Sequence, residues 1–330
     1  MLVRFLVALV AALALAALAE ALLEWRDAHA LPMRGRLVDA GGHKLRIVES
    51  GAGQSGPTVI LECGIGGATA ASWGWVQHGV ERFAPVIAYD RAGLGWSEPG
   101  PLPRNGRRLV EELHTLLLNA GHSGPYIFVG HSYGGLLARL YVDRYPGDVV
   151  GVVLVESAHP RQFGERRRMP RWFGIIRGAL PFAPWAARIG LMRLGTHLIH
   201  MDVKSLPPLE RREQLAFLAE ARHWEGTLHE MQSWVPLTND EAAQTHGFGD
   251  RPLAVLTAGT SARWSTWAAL QSGTAALSSN SVHETVAGAT HAGIISDSTY
   301  AARVIEAIRA VRESAMHGGP VTLRPADAPR

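Results

Sequence analysis

The sequence predicts an α/β fold, a doubly wound and mostly parallel sheet opened by an antiparallel hairpin. Three observations predict it. Short apolar, β-branched runs without polar alternation recur along the chain, as strands buried on both faces require. Segments with helical apolar spacing fall between them. Hydrophobic residues make up 47% of the 330 and charged residues 18%, which suits a large core and excludes wholesale disorder.

The first element is apolar and long. Phe5 to Leu23 is a 19-residue run whose one charge is Glu20. As a helix it reaches ~28 Å, close to the ~30 Å of bilayer hydrocarbon. Residues 1–30 are therefore read as a membrane anchor or a signal segment. Ala17-Leu18-Ala19 offers a small-x-small cleavage site, so export after cleavage is the alternative. The thin positive region before the run and the run's length favour the uncleaved anchor. Arg4 and Arg26 balance across it, so charge does not orient the chain.

Arg36–Asp39 and Lys44–Glu49 flank Gly41-Gly42 and read as a β-hairpin. Thr58–Leu61, Val86–Tyr89, Tyr126–Val129, Val149–Val155, Leu253–Thr257 and Val282–Val286 follow as strands. Helical patterns at Trp73–Phe83, Arg107–Ala120, Gly134–Tyr145, Trp264–Leu277 and Thr299–Val311 alternate with them. Between about 160 and 250 the alternation stops. That stretch has many arginines, no strand-like run, and Trp172, Trp185, Trp224 and Trp234. It reads as a helical lid inserted over the sheet, its tryptophans serving mainly as packing. The core is then residues 31–159 and 251–315, the lid is 160–250, and the Gly/Pro-rich segment 316–330 is a disordered tail.

Charge and cysteine content narrow the function. The net charge is +3, nearly all of the positive charge is arginine, and the longest basic run is Arg166-Arg167-Arg168. So weak a field predicts no nucleic-acid partner. The single cysteine, Cys63, allows neither an intrachain disulfide nor a cysteine-rich zinc site. It reads as a small buried filler. His197 and His200, with His223 and His229 nearby, lack the carboxylate or cysteine cluster that metal binding would need, so no metal is expected. No signal for oligomeric state is present.

The strongest chemical signal is Gly130-His131-Ser132-Tyr133-Gly134, a G-x-S-x-G between a strand and a helix rich in small residues. A nucleophile elbow needs that setting, with side-chain-free positions at Gly130 and Gly134 where strand and helix approach. A serine needs a base to be nucleophilic. His291 lies in Gly288-Ala289-Thr290-His291-Ala292-Gly293 after the last strand, so it reaches the carboxyl edge of the sheet where the elbow opens. His131 points elsewhere on the turn, and His159 is a weaker alternative. The orienting acid is expected at Glu156, 24 residues beyond Ser132 at the end of the next strand. Asp250 and Asp297 are the other candidates. Two backbone N–H groups must face the developing oxyanion. Ile65, in Cys63-Gly64-Ile65-Gly66-Gly67, and Tyr133 would supply them. A dinucleotide fingerprint fails there because Thr69 stands where a glycine is required, and no phosphate-loop Gly-Lys-Ser/Thr occurs.

Over residues 35–312 the chain resembles the α/β-hydrolase fold superfamily. Asp90-Arg91-Ala92-Gly93-Leu94-Gly95-Trp96-Ser97 is similar to its D-x-x-G-x-G-x-S turn after the fourth strand. Gly130–Gly134 matches its elbow, and Cys63-Gly64-Ile65-Gly66 stands where members carry His-Gly-x-x. The loop after Thr257, where most members place the acid, has none. Glu156 resembles the minority that keep it after the sixth strand. The resemblance implies a serine-nucleophile hydrolase and excludes the aspartate-nucleophile branches. The expected activity is hydrolysis of an ester or related acyl bond of a small molecule through an acyl-enzyme, with no cofactor. The alternatives are another acyl or a carbon–carbon bond with the same triad, or a non-catalytic binding protein on this scaffold.

Overall fold

A computed structural model describes residues 1–164, 170–199, 202–262 and 265–324. The run Arg166-Arg167-Arg168, Trp264 and His200 lie outside the described residues, as does the side chain of His197.

Eight strands form one sheet: β1 (Arg36–Asp39), β2 (Lys44–Ser50), β3 (Thr58–Glu62), β4 (Val86–Tyr89), β5 (Tyr126–His131), β6 (Val149–Val155), β7 (Leu253–Ala258) and β8 (Ser281–Val286). Their order across the sheet is β1-β2-β4-β3-β5-β6-β7-β8. β1 and β2 pair antiparallel, as do β2 and β4, and every later pairing is parallel. The opening hairpin turns on Gly41 and Gly42, both at positive φ, with the Asp39 carboxylate accepting the Gly41 N–H at 3.0 Å.

Fourteen α-helices are described. α1 (Leu2–Ala30) precedes the sheet, and α2 (Gly74–Val80), α3 (Gly106–Asn119) and α4 (Gly134–Arg144) connect its first parallel strands. Between β6 and β7 stand α5 (Arg171–Ala179), α6 (Ala183–Arg188), α7 (Leu191–Ile199), α8 (Pro208–Ala219), α9 (Ala221–Ser233) and α10 (Asn239–Ala243), the helical lid. α11 (Gly259–Ala262) and α12 (Ser265–Ala275) lead to β8, and α13 (Gly293–Ser296) and α14 (Ser298–His317) close the chain.

The apolar runs are explained by burial on both faces. Along β5, Tyr126 and Phe128 enter the core under α3, α4 and the lid, while Ile127 and Val129 enter the core under α2 and α14. β6 repeats the pattern, with Val152 and Leu154 on the first face and Val153 and Val155 on the second. α3 buries Leu109, Val110, Leu113, Leu116 and Leu117, the apolar stripe read from the sequence. α14 buries Ala301, Val304, Ala307, Ile308 and Val311. Its first turn is capped by Asp297, whose Oδ1 accepts the Thr299 N–H at 2.9 Å.

Both chain ends are more engaged than their composition indicates. The most apolar window of α1 has a mean hydropathy of 2.6 and none of it is buried, but Glu20 is buried against the lid. Met316 and His317 belong to the last turn of α14, and Val321 packs in the second core while its N–H donates to Asn280 Oδ1 at 2.9 Å. Residues 325–330 lie outside the described residues.

Candidate active site

β5 runs straight into a sharp turn. Ser132 has φ 53°, in the left-handed region, and the backbone leaves it directly as α4. Its N–H donates to the Val155 carbonyl at 3.1 Å, and its carbonyl accepts the Ala158 N–H at 2.8 Å. The turn is thus clamped to the end of β6. The flanking glycines are sterically required: a Cβ at Gly130 would lie 2.5 Å from the Gly134 carbonyl oxygen, and one at Gly134 would lie 2.5 Å from that of Glu62. Among the described residues the only other non-glycine at positive φ is Glu156, at 46°. The two strained positions lie at the ends of neighbouring strands, on the same edge of the sheet.

His291 joins them from the loop after β8. Its Nε2 lies 3.0 Å from Ser132 Oγ, and its Nδ1 lies 3.5 Å from Glu156 Oε1. The imidazole is half exposed, whereas the carboxylate is buried. Burial opposes ionisation of Glu156, but hydrogen bonds from His291, Ser261 and the Ala258 N–H outweigh it and hold the carboxyl below its usual range. The Ala258 bond to Oε2 is 2.7 Å long. The structure therefore brings together Ser132, His291 and Glu156, whose roles the sequence predicted.

The other candidates stand apart. Asp297 is occupied as the cap of α14. His159 Nδ1 accepts the Arg161 N–H within its own turn, and burial pulls its pKa down to about 4. Cys63 is buried and its thiol donates to the Thr69 carbonyl at 3.0 Å. Burial pushes that thiol far above its usual range.

The loop 63–67 lies against the elbow, since a Cβ at Gly64 would meet Ser132 Cβ at 3.2 Å. Among the described residues, neither the Ile65 nor the Tyr133 N–H donates to another protein group. Three side chains hold this loop, a role that sequence reading assigns to none of them. Arg91 donates to the carbonyls of Cys63 (2.9 Å) and Gly64 (2.7 Å), and pairs with Glu62 on β3 and Glu230 on α9, each at 2.7 Å. Gln214 on α8 donates to the Gly67 carbonyl at 2.6 Å. His223 on α9 donates from Nε2 to the same carbonyl at 2.9 Å and accepts the Gly95 N–H on Nδ1 at 3.2 Å, which fixes it as the neutral Nε2–H tautomer. Burial lowers its pKa to about 4. The lid thus grips the loop through Gln214 and His223, and Arg91, itself paired to the lid through Glu230, holds the loop as well. Burial raises the Glu62 carboxyl against the pull of Arg91, and Tyr89 donates its hydroxyl to that carboxyl.

His131 makes a positioning contact of its own. Its Nε2 lies 2.8 Å from the His291 carbonyl, which can only accept, so the ring nitrogen carries the proton. Burial depresses its pKa to about 3, so the imidazole is neutral at pH 7. The residue beside Ser132 therefore anchors the backbone of the loop that carries His291.

A sequence model of the alpha/beta hydrolase family matches residues 59–307. The 2-hydroxymuconate semialdehyde hydrolase of a Pseudomonas species is 25% identical over 242 residues, which cover 71% of this chain and 83% of that protein. The first four curated relatives are matched over only 20 to 42% of their own length. Among solved structures, a thermophilic esterase from Thermogutta terrifontis superposes with a TM-score of 0.59 at 18% identity, covering 84% of this chain and 97% of that one. The epoxide hydrolase CorEH superposes with a TM-score of 0.60 at 16% identity, covering 79% and 93%. At these identities the two structures share the fold.

Proposed function

The chain belongs to the alpha/beta hydrolase family, and from that premise we propose that it is a serine hydrolase cleaving an ester or related acyl bond of a small molecule. The observation that carries the proposal is the 3.0 Å separation of Ser132 Oγ and His291 Nε2, a nucleophile–base pair within hydrogen-bond reach.

The chemistry follows from the positions. Ser132 Oγ attacks the carbonyl carbon while its proton passes to His291 Nε2. Glu156 stabilises the resulting imidazolium and holds the ring by Nδ1; the 3.5 Å separation is of the kind that tightens once substrate is bound. Negative charge on the carbonyl oxygen is met by the N–H groups of Ile65 and Tyr133, each such donor being worth about 3 kcal/mol of barrier. Collapse expels the leaving group, protonated by His291, and leaves an acyl-serine. Water, deprotonated by His291, then releases the acid and restores Ser132. An aspartate-nucleophile route of the alkyl-enzyme kind would need a carboxylate at position 132.

A second reading is favoured by one match, the semialdehyde hydrolase that aligns with 71% of the chain. The same three side chains would then act on another acyl or a carbon–carbon bond. We further propose that α1 remains as a membrane anchor, supported by its exposed apolar length. Purified full-length protein assayed on acyl esters of graded chain length tests the function. Turnover that depends on Ser132 supports it. Turnover of a carbon–carbon substrate alone favours the second reading, and no turnover of either kind of substrate contradicts both.

A further inference from the structure

The first half of the lid, from α5 to α7, carries a run of exposed apolar side chains. Ile175 and Phe182 are 71% and 69% exposed, Trp185 is 68%, and Leu191 and Leu194 are 53% and 65%. Among the described residues, no large apolar side chain outside residues 1–30 and this stretch is as exposed as Phe182, Trp185 or Leu194. Residues 170–199 also contain four arginines and no acidic residue. One of them, Arg188, places its guanidinium 5.1 Å from the centre of the Trp185 ring. Exposed tryptophan and leucine beside arginine is the composition of a surface that lies in the headgroup layer of a membrane.

The position of α1 says where that membrane is. Arg193, on the helix that carries Leu191 and Leu194, holds Glu20 with Nε at 2.8 Å and Nη2 at 2.7 Å, and Asp27 with Nη1 at 2.6 Å. Gly190 lies against the same carboxylate, and α1 also contacts α6 and α8. The one charge in the apolar run is thus the point where α1 docks on the lid. Leu2–Ala19, the part before it, is 18 residues or ~27 Å of helix, about one hydrocarbon thickness. The lid is therefore fixed to α1 within the last turn of the apolar run.

We infer that this face, with Ile175, Phe182, Trp185, Leu191 and Leu194, docks on the surface of the bilayer that α1 enters. The inference rests on reading α1 as a retained anchor and goes beyond it, because an anchor on a loose tether would leave the lid in water. The lid, and with it the loop that Gln214 and His223 hold, is then seated on lipid.

The test uses the full chain in vesicles of phosphatidylcholine and phosphatidylglycerol. Single cysteines at Phe182→Cys, Leu194→Cys, Val10→Cys and Leu118→Cys carry an environment-sensitive fluorophore; native Cys63 is buried and stays unlabelled. Quenching by nitroxide on the lipid chains is compared with quenching by aqueous iodide. Labels at 10, 182 and 194 should be quenched several-fold more by lipid nitroxide than the label at 118. If 182 and 194 behave like 118 while 10 is lipid-quenched, the inference is overturned and the anchor stands. If 10 is also inaccessible to lipid, both fail. Labels at 182 and 194 shielded from both quenchers would place a protein partner on this face and overturn the inference as well.

Discussion

The Ala258 N–H donates a 2.7 Å hydrogen bond to Glu156 Oε2, so the end of β7 grips a carboxylate that belongs to the end of β6. The strand end that lacks an acid of its own serves instead to orient its neighbour's. Glu156→Gln preserves shape but removes the charge that, in the proposed triad, stabilises the imidazolium. Turnover is expected to fall by roughly 10²–10⁴ at matched folded fraction. Asp297→Asn, at the cap of α14, should leave turnover near wild type and cost at most about 1 kcal/mol of stability. The reverse pattern in steady-state assays would transfer the role of acid to Asp297.

Much of this was legible in the sequence. Strands β3 to β7 announce themselves because both of their faces are buried, so their residues are mainly apolar and show no polar alternation. Ser132, Glu156 and His291 are readable because each stands just past a strand, and parallel strands deliver such residues to one edge. Contacts between distant segments were not readable. Arg91 and Glu230 are 139 residues apart, and Glu20 and Arg193 are 173 apart. No local pattern couples them. The signal available was a charge inside an apolar run, at Glu20, and charges at the ends of buried strands, at Glu62 and Arg91. Val321 illustrates the converse, a residue in a Gly/Pro-rich tail that packs because Asn280 holds its backbone.

Arg91→Met should be costly in two ways. It leaves Glu62 and Glu230 buried without their cation, a loss of about 3–5 kcal/mol in urea unfolding. It also frees the carbonyls of Cys63 and Gly64, so the folded fraction should acylate at least about tenfold more slowly, short of the roughly 10²–10³ lost when an oxyanion donor is removed outright. Stability and acylation rate both equal to wild type would mean that Arg91 does not position the loop.

Two buried histidines predict how stability depends on pH. Burial holds His131 at about 3 and His223 at about 4, below the ~6.5 of an unfolded histidine. Both are neutral when folded and take up a proton on unfolding below that value. Stability is therefore fully present above about pH 6.5 and is lost as pH falls toward 4. Each histidine contributes about 1.4 kcal/mol per pH unit. Urea midpoints at pH 7 and pH 5 should show the drop, and His223→Gln should reduce it. A flat profile would contradict the neutral burial of both rings.

Retention of α1 predicts that the full-length protein resists carbonate extraction from membranes and keeps its first residues. Amino-terminal sequencing of the mature chain decides it. A chain beginning at Glu20 would instead identify a cleaved signal, and would leave Arg193 facing a new terminus.

The most direct test of the central claim is labelling of the folded full-length protein with a fluorophosphonate, read by peptide mass spectrometry. The account predicts one adduct, on Ser132, whose formation abolishes hydrolysis and is absent from Ser132→Ala. Failure of the folded protein to label, or equal labelling of Ser132→Ala, would contradict it.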